Sequence, residues 1–83
     1  MANKNQLEDF KMFPTHTGSE LNLEFEALAE RKVTIFSVDG KVVFSSLIFD
    51  VKNQLFISNL HQGIYFLQVD ESSQVRTKRF IKI

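Results

Sequence analysis

Short apolar segments recur about every ten residues along this chain of 83 residues, and turn-forming residues separate them. Leu21, Leu23 and Phe25 alternate with polar residues, which is the two-residue period of a half-buried strand. No segment has the length of a helix that could connect parallel strands. The sequence therefore predicts an all-β antiparallel β-sandwich of about seven strands, with a small closed barrel as the alternative.

Turn signals set the limits of the predicted strands, which cover residues 11–13, 21–25, 32–38, 41–44 with a continuation to 49, 55–57, 64–69 and 75–83. Pro14 has no N–H to donate, so it belongs at a strand end or a sheet edge, and a turn is predicted at 15–18. Asp39-Gly40 lies between two apolar runs and predicts a hairpin with a type I′ turn.

Gly63 and Tyr65 are predicted to have structural roles. Gly63 opens a strongly apolar strand and is suited to a positive φ angle at the preceding turn. Tyr65 is expected to bury its ring while its hydroxyl reaches a backbone group, as a tyrosine does at the corner of a sandwich. Tyr65, Leu67 and Val69 share one face of that strand.

The charges of the chain are distributed unevenly, although the formal net charge is zero. Residues 1–71 contain six Lys or Arg residues and ten Asp or Glu residues, a net charge of −4, whereas residues 72–83 have a net charge of +4. Two explanations stay open. The four cations protect an exposed edge strand from aggregation, or they orient an acidic partner.

Several function classes find no support in the sequence. His16 and His61 have no metal-ligand spacing, there is no Cys, and the three Gly residues are isolated. The Ser residues lack the context of a catalytic nucleophile, and four basic residues on one strand are few for nucleic-acid binding. The sequence therefore predicts no enzyme, no catalytic residue, no metal, no cofactor and no nucleic-acid partner.

Residues 1–9 are polar and are interpreted as a linker stub before a single domain at 10–83. No apolar run approaches the roughly 18 residues of a membrane span, and no signal peptide opens the chain. The sequence is therefore interpreted either as a cytoplasmic protein or as a piece cut from the end of a longer exported chain.

Five segments together resemble the type A C-terminal sorting domain of the type IX secretion system. They are Phe13-Pro14, Leu21–Phe25, Val33–Val43, Leu60–Val69 and Lys78–Ile83, in that order and up to the last residue. The resemblance implies an immunoglobulin-like sandwich that directs its parent cargo through the outer-membrane translocon. It also implies passage through the periplasm, delivery to the cell surface or medium, and frequent removal by a cell-surface sortase.

The resemblance also implies which residues act. The closing strand would carry translocon recognition, through Lys78, Arg79, Phe80, Ile81, Lys82 and Ile83, and Gly63 with Tyr65 would match the Gly-x-Tyr element of the family. The chain departs from the family at Pro14, which Thr15-His16 follows where a Pro-Asn-Pro turn is usual. No residue identifies a cleavage site, which is expected in or before residues 1–9.

Two alternatives remain at this point. One is a structural or adhesive β-sandwich module of a surface protein, which should tolerate a C-terminal extension that a terminal signal would not. The other is a homodimer through an edge strand, taken to be the last strand, because exposed edges pair readily. For the sorting function, replacement of Lys78 and Lys82 by Glu is expected to weaken export without unfolding the domain.

Overall fold

Residues 9–83, the part of the chain that the computed structural model describes, form two β-sheets. The strands are β1 (Lys11–Phe13), β2 (His16–Thr17), β3 (Glu20–Glu24), β4 (Arg31–Ser37), β5 (Val42–Ile48), β6 (Lys52–Phe56), β7 (Gly63–Glu71) and β8 (Gln74–Lys82). The smaller sheet has the order β1-β3-β6, and the larger has the order β2-β8-β7-β4-β5. The predicted all-β, immunoglobulin-like sandwich is confirmed.

The structure adds one strand to the prediction. The additional strand is β2, which lies in the segment that the sequence predicts as a turn. It pairs with β8 in parallel. All other neighbours pair antiparallel. The predicted linker at residues 1–9 falls almost wholly outside the described residues, so the boundary before residue 10 stays a prediction.

The hydrophobic core lies between the two sheets and follows from the alternation seen in the sequence. Leu21 and Leu23 of β3 are fully buried, as are Leu67 and Val69 of β7. Each such side chain stabilises the fold by about 1.5–3 kcal/mol relative to an exposed one. The whole core consists of Phe10, Met12, Leu21, Leu23, Phe25, Val33, Ile35, Ile48, Leu55, Ile57, Tyr65, Leu67, Val69 and Phe80.

The hairpin between β4 and β5 is present, but the predicted type I′ turn at Asp39-Gly40 is wrong. Gly40 has a φ of +86°, whereas Asp39 is not among the residues of 9–83 with a positive φ. The N–H of Gly40 donates to the carbonyl of Ser37 over 2.9 Å, so Val38 and Asp39 are the central turn residues. This is a three-residue loop, in which one glycine follows an ordinary turn. The side chain of Asp39 accepts a hydrogen bond from Ser37, which favours this arrangement.

The type I′ geometry occurs instead between β7 and β8. Ser72 has a φ of +49° and Ser73 a φ of +66°, and Glu71 pairs with Gln74 across a loop of two residues. Both serines therefore adopt the left-handed conformation that side chains disfavour. The right-handed twist of the two nine-residue strands selects this turn, although neither residue favours it.

We expect Ser73→Gly to raise the free energy of unfolding by about 0.5–1 kcal/mol. Glycine adopts this positive φ without the steric cost that serine incurs, and this gain outweighs the added freedom of the unfolded chain. Urea denaturation measures the effect. Gly40→Ala is the matched control with the opposite expected effect, a lower free energy of unfolding. It places a side chain at positive φ, and no atom lies within 4 Å of the new Cβ. Equal stability of the wild type and Ser73→Gly would contradict the strain at this turn.

Candidate functional site

The C-terminal half of β8 is an internal strand of the larger sheet. It pairs with β7 on one side, and on the other His16 lies opposite Ile81 and Thr17 opposite Lys82. The N–H of Ile81 donates to the carbonyl of Thr15 over 2.8 Å, and the N–H of Ile83 donates to that of Thr17 over 2.9 Å. The expectation that the last strand is an unpaired sheet edge is therefore wrong for residues 81–83, whose backbone is paired on both sides or bonded to residues 15–17.

The inner face of β8 holds the strand in the core. Phe80 is 1% exposed, and its ring stacks on that of Tyr65 with centroids 5.6 Å apart. Lys82 is on the same face and 7% exposed, and its Nζ donates to the carbonyl of Ile83 over 3.0 Å. The aliphatic part of this lysine is thus used for packing, as is common for long cationic side chains.

The Gly63–Tyr65 element braces this end of the sandwich. The hydroxyl of Tyr65 donates to the carbonyl of His61 over 2.8 Å, while the ring is buried against Phe80. Gly63 has a φ of +153° and pairs with Lys82. A Cβ at Gly63 would meet its nearest atom only at 4.0 Å, so the backbone angle restricts this position more than space does.

The other predicted motif residues lie at two different places. Asp39 lines a shallow pocket of about 290 Å³ together with Gly63 and Tyr65, and the turn that contains Asp39 and Gly40 therefore lies at the same end of the sandwich. Pro14 lies between β1 and β2, where the chain passes from the smaller to the larger sheet. It therefore directs the segment that covers the edge of β8.

The cations of the closing segment have different environments. The Nζ of Lys78 is 3.2 Å from Oδ1 of Asp9 and 5.2 Å from the ring centroid of Phe10, so it ties the first described residues to β8. Lys82 is buried, and Arg76 is half-buried. Arg79 is exposed on the outer face. Of the four cations that the sequence offered for orienting an acidic partner, Arg79 is therefore the most available.

An apolar patch surrounds Arg79 on the outer face of the larger sheet. Phe66 lies opposite Arg79, Phe36 lies opposite Phe66, and Ile64 lies opposite Ile81. We call these five residues, Phe36, Ile64, Phe66, Arg79 and Ile81, the outer patch. The three members outside β8 were missed at the sequence level. The signal that could have found them is the strand 64–69, which is apolar on both faces.

Two further features of the described residues bear on chemistry. Within residues 9–83, no three His, Asp or Glu side chains lie together in a way that could hold a metal ion. The same residues contain no helix with the length and apolarity needed to cross a membrane. What the geometry does offer is a strand, β8, whose inner face is packed, and whose Arg79 lies beside aromatic and aliphatic side chains of β4 and β7 on the outer face of the sheet.

This fold defines a small β-sandwich domain. The family model described as "Secretion system C-terminal sorting domain" matches residues 11–83, and the chain belongs to that family. It is a C-terminal sorting signal for type IX secretion, and it directs export of its cargo across the outer membrane to the cell surface or medium. The alternative of a structural or adhesive module is not favoured. Among curated proteins, none matches this chain.

Proposed function

We propose that the outer patch, to which the closing strand contributes Arg79 and Ile81, is the surface that the type IX translocon recognises. The observation that supports this proposal is that the two faces of β8 differ. Phe80 and Lys82 point into the core, whereas Arg79 and Ile81 belong to the opposite face. Lys78, Phe80 and Lys82 then hold the strand in place, and Arg79, Ile81 and Ile83 contact the receptor. Ile83 is 59% exposed and continues the outer row.

The rigidity of the strand explains how one receptor could accept many cargoes. β8 is hydrogen-bonded to β7 along its whole length and to β2 at its end, so its outer side chains are already ordered before binding. A pre-ordered surface spares the receptor the entropic cost of fixing a flexible tail. The apolar members of the patch supply buried area, and Arg79 supplies orientation and a faster encounter with an acidic group.

Membership of the sorting-domain family supports the rest of the proposed pathway. The domain is carried at the end of a cargo protein, reaches the translocon folded in the periplasm, and performs no catalysis of its own. After export, a sortase of the same machinery removes it by cutting before the first strand, in or before residues 1–9. The domain needs no cofactor for these steps, because recognition uses only its folded surface.

We expect Arg79→Glu to lower export about tenfold or more while the domain stays folded, because it places a carboxylate where a guanidinium orients the complex. A fluorescent reporter directed to the periplasm and fused to residues 1–83 measures export in a host with an intact type IX system. Thr77→Glu is the matched control, since Thr77 is also exposed on the outer face of β8 but lies outside the outer patch.

The thermal unfolding midpoint of each variant is measured beside its export. Loss of export by Arg79→Glu at an unchanged midpoint, with Thr77→Glu exported normally, supports the proposal. Wild-type export by a folded Arg79→Glu variant would remove the outer patch as the recognised surface.

Lys78→Glu with Lys82→Glu is not a clean test of recognition. Lys82 is buried, so a carboxylate at that position would lose hydration without gaining a partner. Lys78 would also lose its ion pair with Asp9. Contrary to the expectation from the sequence, this pair of substitutions should destabilise the fold, so a loss of export in that variant would not separate recognition from unfolding.

A further inference from the structure

One edge of the larger sheet is formed by β5, which differs from the edge strands of the smaller sheet in the described chain. β5 pairs only with β4 within residues 9–83, and its seven residues include no charged side chain. β1 and β6, the edges of the smaller sheet, carry Lys11 and Lys52. Charged residues on edge strands prevent pairing with other chains, and β5 has none. Its one irregularity is a bulge at Val43, near the start of the strand, and Phe44–Ile48 pair regularly with β4.

Exposed apolar side chains are concentrated along this strand. Val42, Val43 and Leu47 lie on β5, and Phe49 follows it directly; all four are exposed, Leu47 by 53%. An open cleft of about 430 Å³ runs between β5 and β6, so a chain can approach the edge of β5 without displacing another strand. An uncharged, apolar and accessible edge of this length is a site for strand addition.

The sequence of β5 suits antiparallel pairing with β5 of a second copy. In an antiparallel register centred on Ser45, Val43 lies opposite Leu47 of a second copy, and the same pair recurs on the other side of the two-fold axis. The strand is preceded by Lys41 and followed closely by Asp50, so each end of the pair brings a cation near a carboxylate. The free half of β8 has no such symmetry, since self-pairing there would bring together strands rich in cations.

We propose that two copies of this chain associate through antiparallel pairing of β5, which joins their larger sheets into one continuous sheet of ten strands. The pairing supplies partners for the outward backbone groups of β5 and covers Val43 and Leu47. A single strand pair buries less area than a standard protein interface, so the dimer forms in a concentration-dependent equilibrium. The last strand, which the sequence suggested as the dimer edge, is not the contact.

Sedimentation equilibrium of residues 1–83 tests this, over roughly 10 μM to 1 mM, the range that a weak interface requires. The mass should rise from 9.6 kDa toward twice that value. Leu47→Lys should keep the mass monomeric throughout. Val75→Lys is the matched control, because Val75 is 51% exposed and lies in the same cross-strand row at the opposite edge of the sheet.

A cross-link that leaves the strand otherwise intact provides a second measurement. The chain has no cysteine, so Ser45→Cys places a single thiol on the two-fold axis, and mild oxidation should convert most of the protein to a covalent dimer. Ser58→Cys, an exposed turn residue, should cross-link several-fold more slowly. Equal cross-linking of the two variants, a monomeric wild type at 1 mM, or dimers of Leu47→Lys would each overturn the proposal. Export through the outer patch is measured separately and can fail or succeed independently.

Discussion

Phe80→Ala is expected to lower the free energy of unfolding by about 3–5 kcal/mol. Phe80 is 1% exposed and stacks on Tyr65, whose hydroxyl bond to His61 fixes the turn before β7. Removing the ring leaves a cavity between the sheets and unlinks β8 from that corner. Domains of this size are stable by only about 5–15 kcal/mol, so the loss is a large share of the total.

Urea denaturation measures the change, and Ile83→Ala is its control on the same strand. Ile83 is 59% exposed, and its truncation should stay within about 0.5 kcal/mol of the wild type. Phe80→Ala should also lower export, because the strand that carries Arg79 and Ile81 is then held less firmly. A folded Phe80→Ala domain of nearly wild-type stability would contradict the packing of β8 described above.

Arg31→Ala is expected to cost about 2–4 kcal/mol, because it breaks a largely buried cluster at the opposite end of β7. The Nε of Arg31 donates to Oε1 of Glu71 over 2.6 Å, and its Nη2 donates to the carbonyl of Ala27 over 3.0 Å. The guanidinium carbon also lies 3.9 Å from the ring centroid of Phe25. Removal of the arginine leaves Glu71 without its partner, although some water still reaches that carboxylate.

The exposed pair between Lys41 and Asp39 provides the control for this experiment. Its atoms are 3.9 Å apart and both side chains are largely in water, so Lys41→Ala should change stability by less than about 0.5 kcal/mol. Equal effects of Arg31→Ala and Lys41→Ala in urea denaturation would show that burial of the Arg31 cluster does not contribute to stability.

The position of Phe80 also changes how a truncation is interpreted. Deleting residues 79–83 removes a buried ring and the part of β8 that pairs with β2, as well as Arg79 and Ile81. Loss of export after that deletion would therefore not separate a missing signal from an unfolded domain. Point substitutions on the outer face of β8 make this separation, because they leave the inner face unchanged.

Much of the fold could be predicted from the sequence, because local rules decide it. Alternation placed Leu21, Leu23, Tyr65, Leu67 and Val69 on inner faces, and all five are buried. Turn residues also located the β4–β5 hairpin. The turn type was missed there, because the pairing of Ser37 with Lys41 and the hydrogen bond from Ser37 to Asp39 selected a different loop.

The candidate site was only partly visible in the sequence. Lys78–Ile83 could be singled out, but both faces of that strand carry apolar residues, so the inward face stayed undecided. The role of β2 could not be seen, since two residues between turn signals gain a strand only by pairing with residues more than sixty positions away. The same limit hid Phe36, Ile64 and Phe66 from the outer patch.

The sequence by itself determined the succession of seven of the eight strands along the chain, the β4–β5 hairpin, the alternating core positions of β3 and β7, and the family, because these depend on local alternation, turn chemistry and ordered motifs. Only the tertiary structure decided which face of β8 is buried, which cations remain exposed and which strand edge is open. It also decided that, of the nine phenylalanines, Phe10 and Phe80 are buried in addition to Phe25, which the alternation had indicated. These outcomes depend on contacts between distant segments. All phenylalanine rings are equally hydrophobic, so only the packing of the second sheet decides which of them are removed from water.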